Sequence, residues 1–387
     1  MKRLAALVCV ATTAVTACVQ RPITPDDPTL EMATVLSAHK ALGARPAEEL
    51  SPQEARSQPS IDDAVWFLEH QRGLPRTRIA VPRVWNIAVS GADGPLSARL
   101  YAPPENAPDA PTILYFHGGG WIAGDVDAYD ATARALADKT GAILVSVQFR
   151  QAPEAKFPAI HDDAVAAYEW LLEHAIELGG LKDKIALAGE SAGANLAIDT
   201  AIAARDQGLT PPVHILAIYP MAGTSDDTPS MVQHAFAEPM GRAAARHSLD
   251  AYAPSDADRA NPRLDIVGKA DLKGLPPVSL VLARIDPLRS EGEALVEKLR
   301  EAGVPVEGRV YPGMTHDFFG TSALIPEARA AQDFAAIRLG EAFGTLIAPP
   351  VPKPDGSAQP PAENASGLVT LTGAPASQAS RLATVSR

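Results

Sequence analysis

Short apolar runs alternate with longer amphipathic stretches over most of the 387-residue chain. Eight runs are rich in Val, Ile, Leu and aromatic residues and predict β-strands; they span residues 84–89, 96–101, 112–116, 142–147, 185–188, 213–219, 278–282 and 306–311. Apolar residues at helical spacing lie between most of these runs, at 127–139, 159–178, 192–206, 288–302 and 326–343. Strands that alternate with helices predict an α/β fold, with a mostly parallel sheet covered by helices on both faces.

The alternation changes at both ends of the chain and once in its second half. Residues 31–43 and 60–72 have helical apolar spacing before the first strand. The polar stretch 221–262 interrupts the alternation, and we interpret it as an insertion above the sheet that forms part of a lid. Segment 346–387 is rich in Pro, Ala, Ser and Thr, so it cannot repay the entropy of ordering and is predicted to be disordered.

The first eighteen residues have the layout of a secretory signal peptide. Lys2 and Arg3 precede an apolar run at 4–15, which is too short to span a membrane. The sequence Val15-Thr16-Ala17-Cys18 then resembles the bacterial lipobox. This resemblance implies cleavage before Cys18, lipidation of Cys18 and attachment to the cell envelope. The outer membrane is favoured, because Val19 stands where some bacterial lipoproteins carry an aspartate that retains them in the inner membrane. The alternative is ordinary cleavage near Ala17, which would release a soluble periplasmic or secreted protein.

Composition and charge exclude several kinds of partner and site. The formal net charge is -12, which argues against nucleic acid as a partner because binding to phosphates needs a basic face. The two cysteines, Cys9 and Cys18, lie in the first eighteen residues, so the body of the chain has no cysteine nucleophile and no disulfide. No histidine–carboxylate cluster has the spacing of metal ligands, and no metal is predicted.

A glycine-flanked serine follows the fifth predicted strand and precedes a predicted helix. The sequence is Gly189-Glu190-Ser191-Ala192-Gly193. A strand, G-x-S-x-G and a helix in this order are typical of a nucleophile elbow, in which the serine is exposed at the carboxyl end of the strand. The alternative, an ordinary Gly-Ser turn, does not explain the strand and helix on either side. Ser191 is therefore the candidate nucleophile.

A second glycine-rich motif, His117-Gly118-Gly119-Gly120-Trp121, follows the strand that ends at Phe116. Consecutive glycines leave backbone N–H groups uncovered, and acyl transfer needs such donors for its oxyanion. We predict an oxyanion hole formed by the N–H groups of Gly119, Gly120 and Ala192. His117 is expected to be structural. Trp121 is a candidate for substrate binding, and Met231, Phe236 and Met240 of the lid-like stretch are further candidates for an acyl pocket, although each could instead pack the cap on the core.

The remaining members of a serine triad are predicted from their order and their position at strand ends. In enzymes that carry a nucleophile elbow on an α/β sheet, the acid and then the histidine follow the serine along the chain. Asp286 follows the strand at 278–282, whereas Asp265 and Asp271 precede it. His316 follows the last strand and a turn, whereas the competing His247 lies in the lid-like stretch. We therefore predict Asp286 as the acid that orients His316, and His316 as the base.

These motifs together resemble the bacterial hormone-sensitive-lipase-like esterases over residues 60–343. Asp286-Pro287-Leu288-Arg289 and Tyr311-Pro312-Gly313-Met314-Thr315-His316 complete the set. The resemblance implies an α/β-hydrolase fold with eight strands, in which 79–345 form the catalytic domain. It also implies a cap made from N-terminal helices and the 221–262 insertion. Segment 19–78 would therefore supply a tether and the N-terminal cap helices, with the Pro- and Asp-rich residues 19–30 as the tether. The implied reaction is hydrolysis of short- to medium-chain acyl esters without a cofactor. Asp317 departs from the family, where glycine is usual, so it could change the environment of the base.

Other functions remain open because a triad indicates a mechanism and not a substrate. Acetylated sugars, amides and β-lactams are hydrolysed by the same groups. Some proteins of this fold bind small molecules without catalysis after losing triad residues, but this chain keeps Ser191, Asp286 and His316.

Overall fold

One mixed sheet runs through the centre of the protein in the computed structural model, which describes residues 24, 26–105, 109–345 and 369–372. The strand order is β1-β2-β4-β3-β5-β6-β7-β8-β9. The strands are β1 (Arg83–Gly91), β2 (Gly94–Ala102), β3 (Ala110–Phe116), β4 (Ile143–Val147), β5 (Gly180–Glu190), β6 (His214–Ile218), β7 (Val278–Ile285), β8 (Val306–Thr315) and β9 (Val369–Thr372). Strands β3 to β8 are parallel to one another, whereas β1, β2 and β9 are antiparallel to their neighbours. The α/β-hydrolase fold and its eight predicted strands, β1 to β8, are confirmed.

Helices cover both faces of the sheet, as expected for buried parallel strands. The described helices are α1 (Leu30–Ala41), α2 (Pro52–Arg56), α3 (Ile61–Gln71), α4 (Asp130–Thr140), α5 (Ala159–His174), α6 (Ala192–Gln207), α7 (Pro229–Gln233), α8 (Arg242–Tyr252), α9 (Asp256–Arg259), α10 (Ile266–Lys269), α11 (Arg289–Glu301) and α12 (Pro326–Phe343). Every residue of β3 is buried, and its side chains alternate between two cores. Ile113 and Tyr115 join one core, while Leu114 and Phe116 join the other.

The 221–262 stretch contains three helices that were not predicted individually, α7, α8 and α9. Two of them have only four or five residues. The buried face of α8 consists of Ala244, Ala245, Ser248, Leu249 and Tyr252. Leu249 and Tyr252 supply the large apolar side chains of this face, and the other three residues are small.

The described part of the predicted tether contacts the sheet at the carboxyl ends of β7 and β8. The Arg284 guanidinium donates to an Asp26 carboxylate oxygen at 2.7 Å, and the Thr29 N–H donates to the Gly313 carbonyl oxygen at 3.1 Å. The Thr29 hydroxyl then caps α1 by accepting from the Met32 N–H at 3.2 Å. These contacts fix the start of the folded body.

The predicted signal region 1–18, with Cys18, lies outside the described residues, as does most of the predicted disordered tail 346–387. Within that tail, Val369–Thr372 form β9, which pairs with β8. A strand at these four residues differs from the predicted disorder of the tail. Val and Leu alternate there with Thr, and such residues favour a strand at the edge of a sheet. No helix among the described residues is long and apolar enough to cross a membrane.

Candidate active site

Ser191 occupies the sharp turn between β5 and α6. Its backbone has φ 55° and ψ -118°, a conformation that non-glycine residues rarely adopt. A Cβ added at Gly189 would overlap the carbonyl of Gly193, and one added at Gly193 would overlap the carbonyl of Phe116. The Ser191 N–H donates to the Ile218 carbonyl oxygen at 2.9 Å, which ties the turn to β6. The two glycines therefore permit the strained turn that presents this serine.

Asp286 and His316 meet at the ends of the adjacent strands β7 and β8. The His316 Nδ1 lies 2.8 Å from Asp286 Oδ2, while Asp286 Oδ1 accepts the Leu288 N–H at 2.8 Å. Both side chains are buried. Burial alone would lower the pKa of His316, but the Asp286 carboxylate outweighs it and raises that pKa above the ordinary value. Since Nδ1 faces a carboxylate, the proton belongs on Nδ1, and Nε2 is left as the basic nitrogen.

Two glycines of the His117–Trp121 motif adopt left-handed conformations. Gly119 has φ 98° and Gly120 has φ 62°. A Cβ at Gly119 would overlap the carbonyl of Ala123, and one at Gly120 would overlap the hydroxyl of Ser248. Ala192 begins α6, where the first N–H groups of a helix have no intrahelical acceptor. The loop can therefore bring bare backbone close to a substrate.

Ser191, His316, Gly119 and Gly120 all line one cavity with a volume of about 460 Å³. The remaining lining comes from both segments that were predicted to form a cap. The first contributes residues of and near α1, α2 and α3, and the second contributes Pro239, Met240, Ala244, His247 and Ser248. The cavity therefore joins the serine, the histidine and the glycine loop in a single site of small-molecule size.

Other predicted site residues are distributed differently. Trp121 is fully buried and stacks on Tyr252 with ring centroids 5.0 Å apart, and it does not line the cavity. Met231 is buried in the core, and Phe236 is 98% exposed. Of the three methionine and phenylalanine candidates from the insertion, Met240 alone lines the cavity. Thus the structure does not bring the Trp121 side chain to the place where a substrate would bind.

The two other histidines considered from sequence do not contact the acid. His117 is buried, its Nδ1 bonds the Gly118 carbonyl oxygen at 2.8 Å, and its ring stacks on Phe149 at 4.3 Å. Burial lowers the pKa of His117 to about 4, so its ring is neutral at physiological pH. His247 lines the cavity from α8, but His316 is the histidine bonded to Asp286.

A buried carboxyl beside the serine was missed by the sequence reasoning. The Glu190 carboxyl accepts the Tyr115 hydroxyl at 2.5 Å and also the Tyr219 hydroxyl. Burial raises the pKa of Glu190 to about 7, although these hydroxyl groups oppose the shift. The Tyr219 ring packs against His316, with ring centroids 4.6 Å apart. Tyr219 follows β6 directly, so its position at a strand end was the available signal.

Asp317 also borders the site. Its backbone is left-handed, with φ 61°, and its carboxylate accepts the Tyr129 hydroxyl at 3.3 Å. It lines the cavity, and its charge contributes, after that of Asp286, to raising the pKa of His316. Among the described residues, no group of three or more His, Cys, Asp or Glu side chains is arranged to hold a metal ion.

The fold and this site define a carboxylesterase-type hydrolase. Residues 113–320 match the model of a protein family that is described as 'alpha/beta hydrolase fold', and the chain belongs to that family. The predicted resemblance to hormone-sensitive-lipase-like esterases is confirmed.

Named relatives and solved structures agree with this class. Esterase LipI of Mycobacterium tuberculosis is 38% identical over 287 residues, which cover 72% of this chain and 89% of that protein. The ethyl acetate hydrolase of Pseudomonas putida is 33% identical, over 63% of this chain and 78% of that protein. The structure of a hyperthermophilic esterase from Pyrobaculum calidifontis matches with a TM-score of 0.74 and 31% identity, over 81% of this chain and 98% of that one.

Proposed function

We propose that the protein hydrolyses carboxylic esters through an acyl-enzyme, with Ser191 as nucleophile, His316 as base and Asp286 as the acid that orients the histidine. The observation that supports this most is the bond between His316 Nδ1 and Asp286 Oδ2, at 2.8 Å, in a pair whose histidine shares the cavity with Ser191. It directs the basic Nε2 away from the carboxylate.

The steps follow from these positions. His316 Nε2 takes the Ser191 hydroxyl proton while the serine oxygen bonds to the ester carbonyl carbon. The resulting oxyanion accepts hydrogen bonds from the backbone N–H groups of Gly119, Gly120 and Ala192. The bond to the leaving alkoxide then breaks, and His316 returns its proton to that oxygen. Water, deprotonated in turn by His316, attacks the acyl group, and collapse of the second tetrahedral intermediate releases the acid and restores Ser191.

The size of the cavity supports short- to medium-chain acyl esters as substrates. A volume of about 460 Å³ lies at the lower end of small-molecule sites, and both cap segments line it. The relative in Pseudomonas putida is named for ethyl acetate.

Hydrolysis of p-nitrophenyl acetate, butyrate, octanoate and palmitate tests this proposal. We expect kcat/KM to be high for acetate and butyrate, to remain substantial for octanoate and to fall sharply for palmitate, because the longest chain is the hardest to place in a cavity that both cap segments line. A steady rise from acetate to palmitate would contradict the proposed chain length without affecting the mechanism.

The pH dependence of the reaction tests the role of Asp317. Only neutral His316 can accept a proton, so activity rises with pH through the raised pKa of His316. Asn at position 317 keeps the left-handed backbone accessible but removes a negative charge. We expect Asp317→Asn to lower the pKa of His316 and to move the acid limb of the kcat/KM profile to lower pH. The exposed Asp271→Asn is the control, and a limb that stays in place or moves upward in Asp317→Asn would refute the assignment.

We also propose that the lipobox-like sequence anchors the protein in the bacterial cell envelope through Cys18. The support is the sequence layout of residues 1–18. Two or three acyl chains on one residue give stable anchoring. Metabolic labelling with palmitate should therefore be lost in Cys18→Ala, and labelling that persists in this variant would favour the soluble exported form.

A further inference from the structure

Three strongly exposed apolar side chains lie where the N-terminal tether meets the folded body. Phe236 is 98% exposed, Leu30 78% and Val232 60%. We refer to them as the apolar patch. Isolated exposed apolar residues are ordinary, but a group of them indicates a surface that contacts something apolar.

Contacts at both ends of α1 hold these residues on neighbouring elements. Near the start of the helix, the Gln233 side-chain amide donates to Asp26 at 3.3 Å. At its end, the Lys40 ammonium forms an ion pair with Glu238. Helix α1 therefore runs alongside segment 233–238. Leu30 begins the helix, while Val232 and Phe236 belong to α7 and the loop that follows it.

The course of the chain indicates what this surface meets. Thr24 is the first described residue, and it lies six positions after Cys18. Even fully extended, six residues span only about 20 Å. A lipid on Cys18 would therefore hold the apolar patch close to the bilayer.

The same pair of elements leads to the cavity. Pro239 and Met240, which follow Phe236 closely in the chain, line it together with His39 near the end of α1. A surface resting on the apolar patch would consequently lie beside the wall of the cavity that these residues form.

We propose that the apolar patch docks on the surface of a phospholipid bilayer, so that the wall of the active-site cavity formed by Pro239 and Met240 lies next to the membrane. This proposal draws on the anchor proposed at Cys18, but not on the catalytic mechanism. A second protein is a poorer fit, because three side chains supply far less area than the roughly 800 Å² per partner of a standard interface. The net charge of -12 offers no attraction to anionic lipids, so docking depends on apolar insertion.

The test uses the chain from residue 19 onward, which contains every described element but carries no acyl chain. Its binding to phosphatidylcholine vesicles is measured by co-sedimentation, beside a Leu30→Ser/Val232→Ser/Phe236→Ser variant. The matched control is Ile176→Ser. Ile176 is 65% exposed, but it precedes β5, whereas Ser191 follows the other end of the same strand. The circular dichroism spectrum shows whether each variant is folded, and turnover of soluble p-nitrophenyl acetate is recorded beside it.

We expect the vesicle partition coefficient of the triple variant to be at least tenfold lower than that of the unchanged protein, whereas Ile176→Ser keeps the original value. All three proteins should hydrolyse the soluble ester equally. Vesicle binding that is absent in the unchanged protein, or equal in the triple variant, would overturn the proposal. A dimer in sedimentation velocity that becomes a monomer in the triple variant would also overturn it, because the occupant would then be a second copy. Binding is measured without turnover, so failure here would leave the ester-hydrolase proposal intact.

Discussion

Replacing Ser191 with alanine should reduce kcat on p-nitrophenyl acetate and butyrate by about 10⁶-fold, the magnitude that follows removal of the triad serine in a serine protease. The backbone of Ser191 has φ 55°, in a tight turn between Gly189 and Gly193. Alanine fits this space, so the fold should remain while the attacking oxygen is lost. Steady-state rates and the circular dichroism spectrum of both proteins provide the comparison.

Ser248→Ala is the matched control for this experiment. Ser248 places a second hydroxyl in the same cavity, where it donates to the Ala244 carbonyl oxygen at 3.1 Å. We expect this variant to retain most of its turnover. If Ser191→Ala hydrolysed the esters as fast as the unchanged protein, or if Ser248→Ala were the inactive variant, the assignment of Ser191 as nucleophile would be wrong.

Asp286→Asn should cost about 10⁴-fold in kcat, the magnitude known for the equivalent change in a serine protease triad. Asp286 Oδ1 already accepts the Leu288 N–H at 2.8 Å, so the asparagine oxygen would take that position. The asparagine NH₂ group would then face His316 and donate to Nδ1. This moves the histidine proton to Nε2, the nitrogen that must accept the serine proton.

The tautomer argument separates this change from a general loss of stability. Asp271→Asn makes the same chemical change at an exposed position before β7 and should leave kcat unchanged. Thermal unfolding should show Asp286→Asn to be folded at the assay temperature. Retention of more than a tenth of the activity would show that Asp286 does not control the proton on His316.

The fold and the meeting of Asp286 with His316 were predictable because both follow from strand ends. Parallel strands place their carboxyl ends at one edge of the sheet, so residues that follow β5, β7 and β8 are brought together. The triad positions needed only the strand boundaries and the chain order. The pairing of β8 with Val369–Thr372 was not foreseen, because composition alone gave no reason to separate four residues from a polar tail.

Side-chain direction within the loops could not be predicted in the same way. Trp121 follows the glycine loop directly, yet its ring turns into the core against Tyr252, whereas the next residue, Ile122, lines the cavity. The position of Trp121 at φ 60° decides this, and local sequence does not encode it. The contact of Tyr219 with His316 likewise depends on the spacing of three strands.

The attachment of the tether has a mechanical consequence. Asp26 is bonded to Arg284, two positions before Asp286, and Thr29 is bonded to Gly313, three positions before His316. A force that pulls on the N-terminal side of Asp26 would therefore act on the turns that hold the acid and the base before it reached the rest of the sheet.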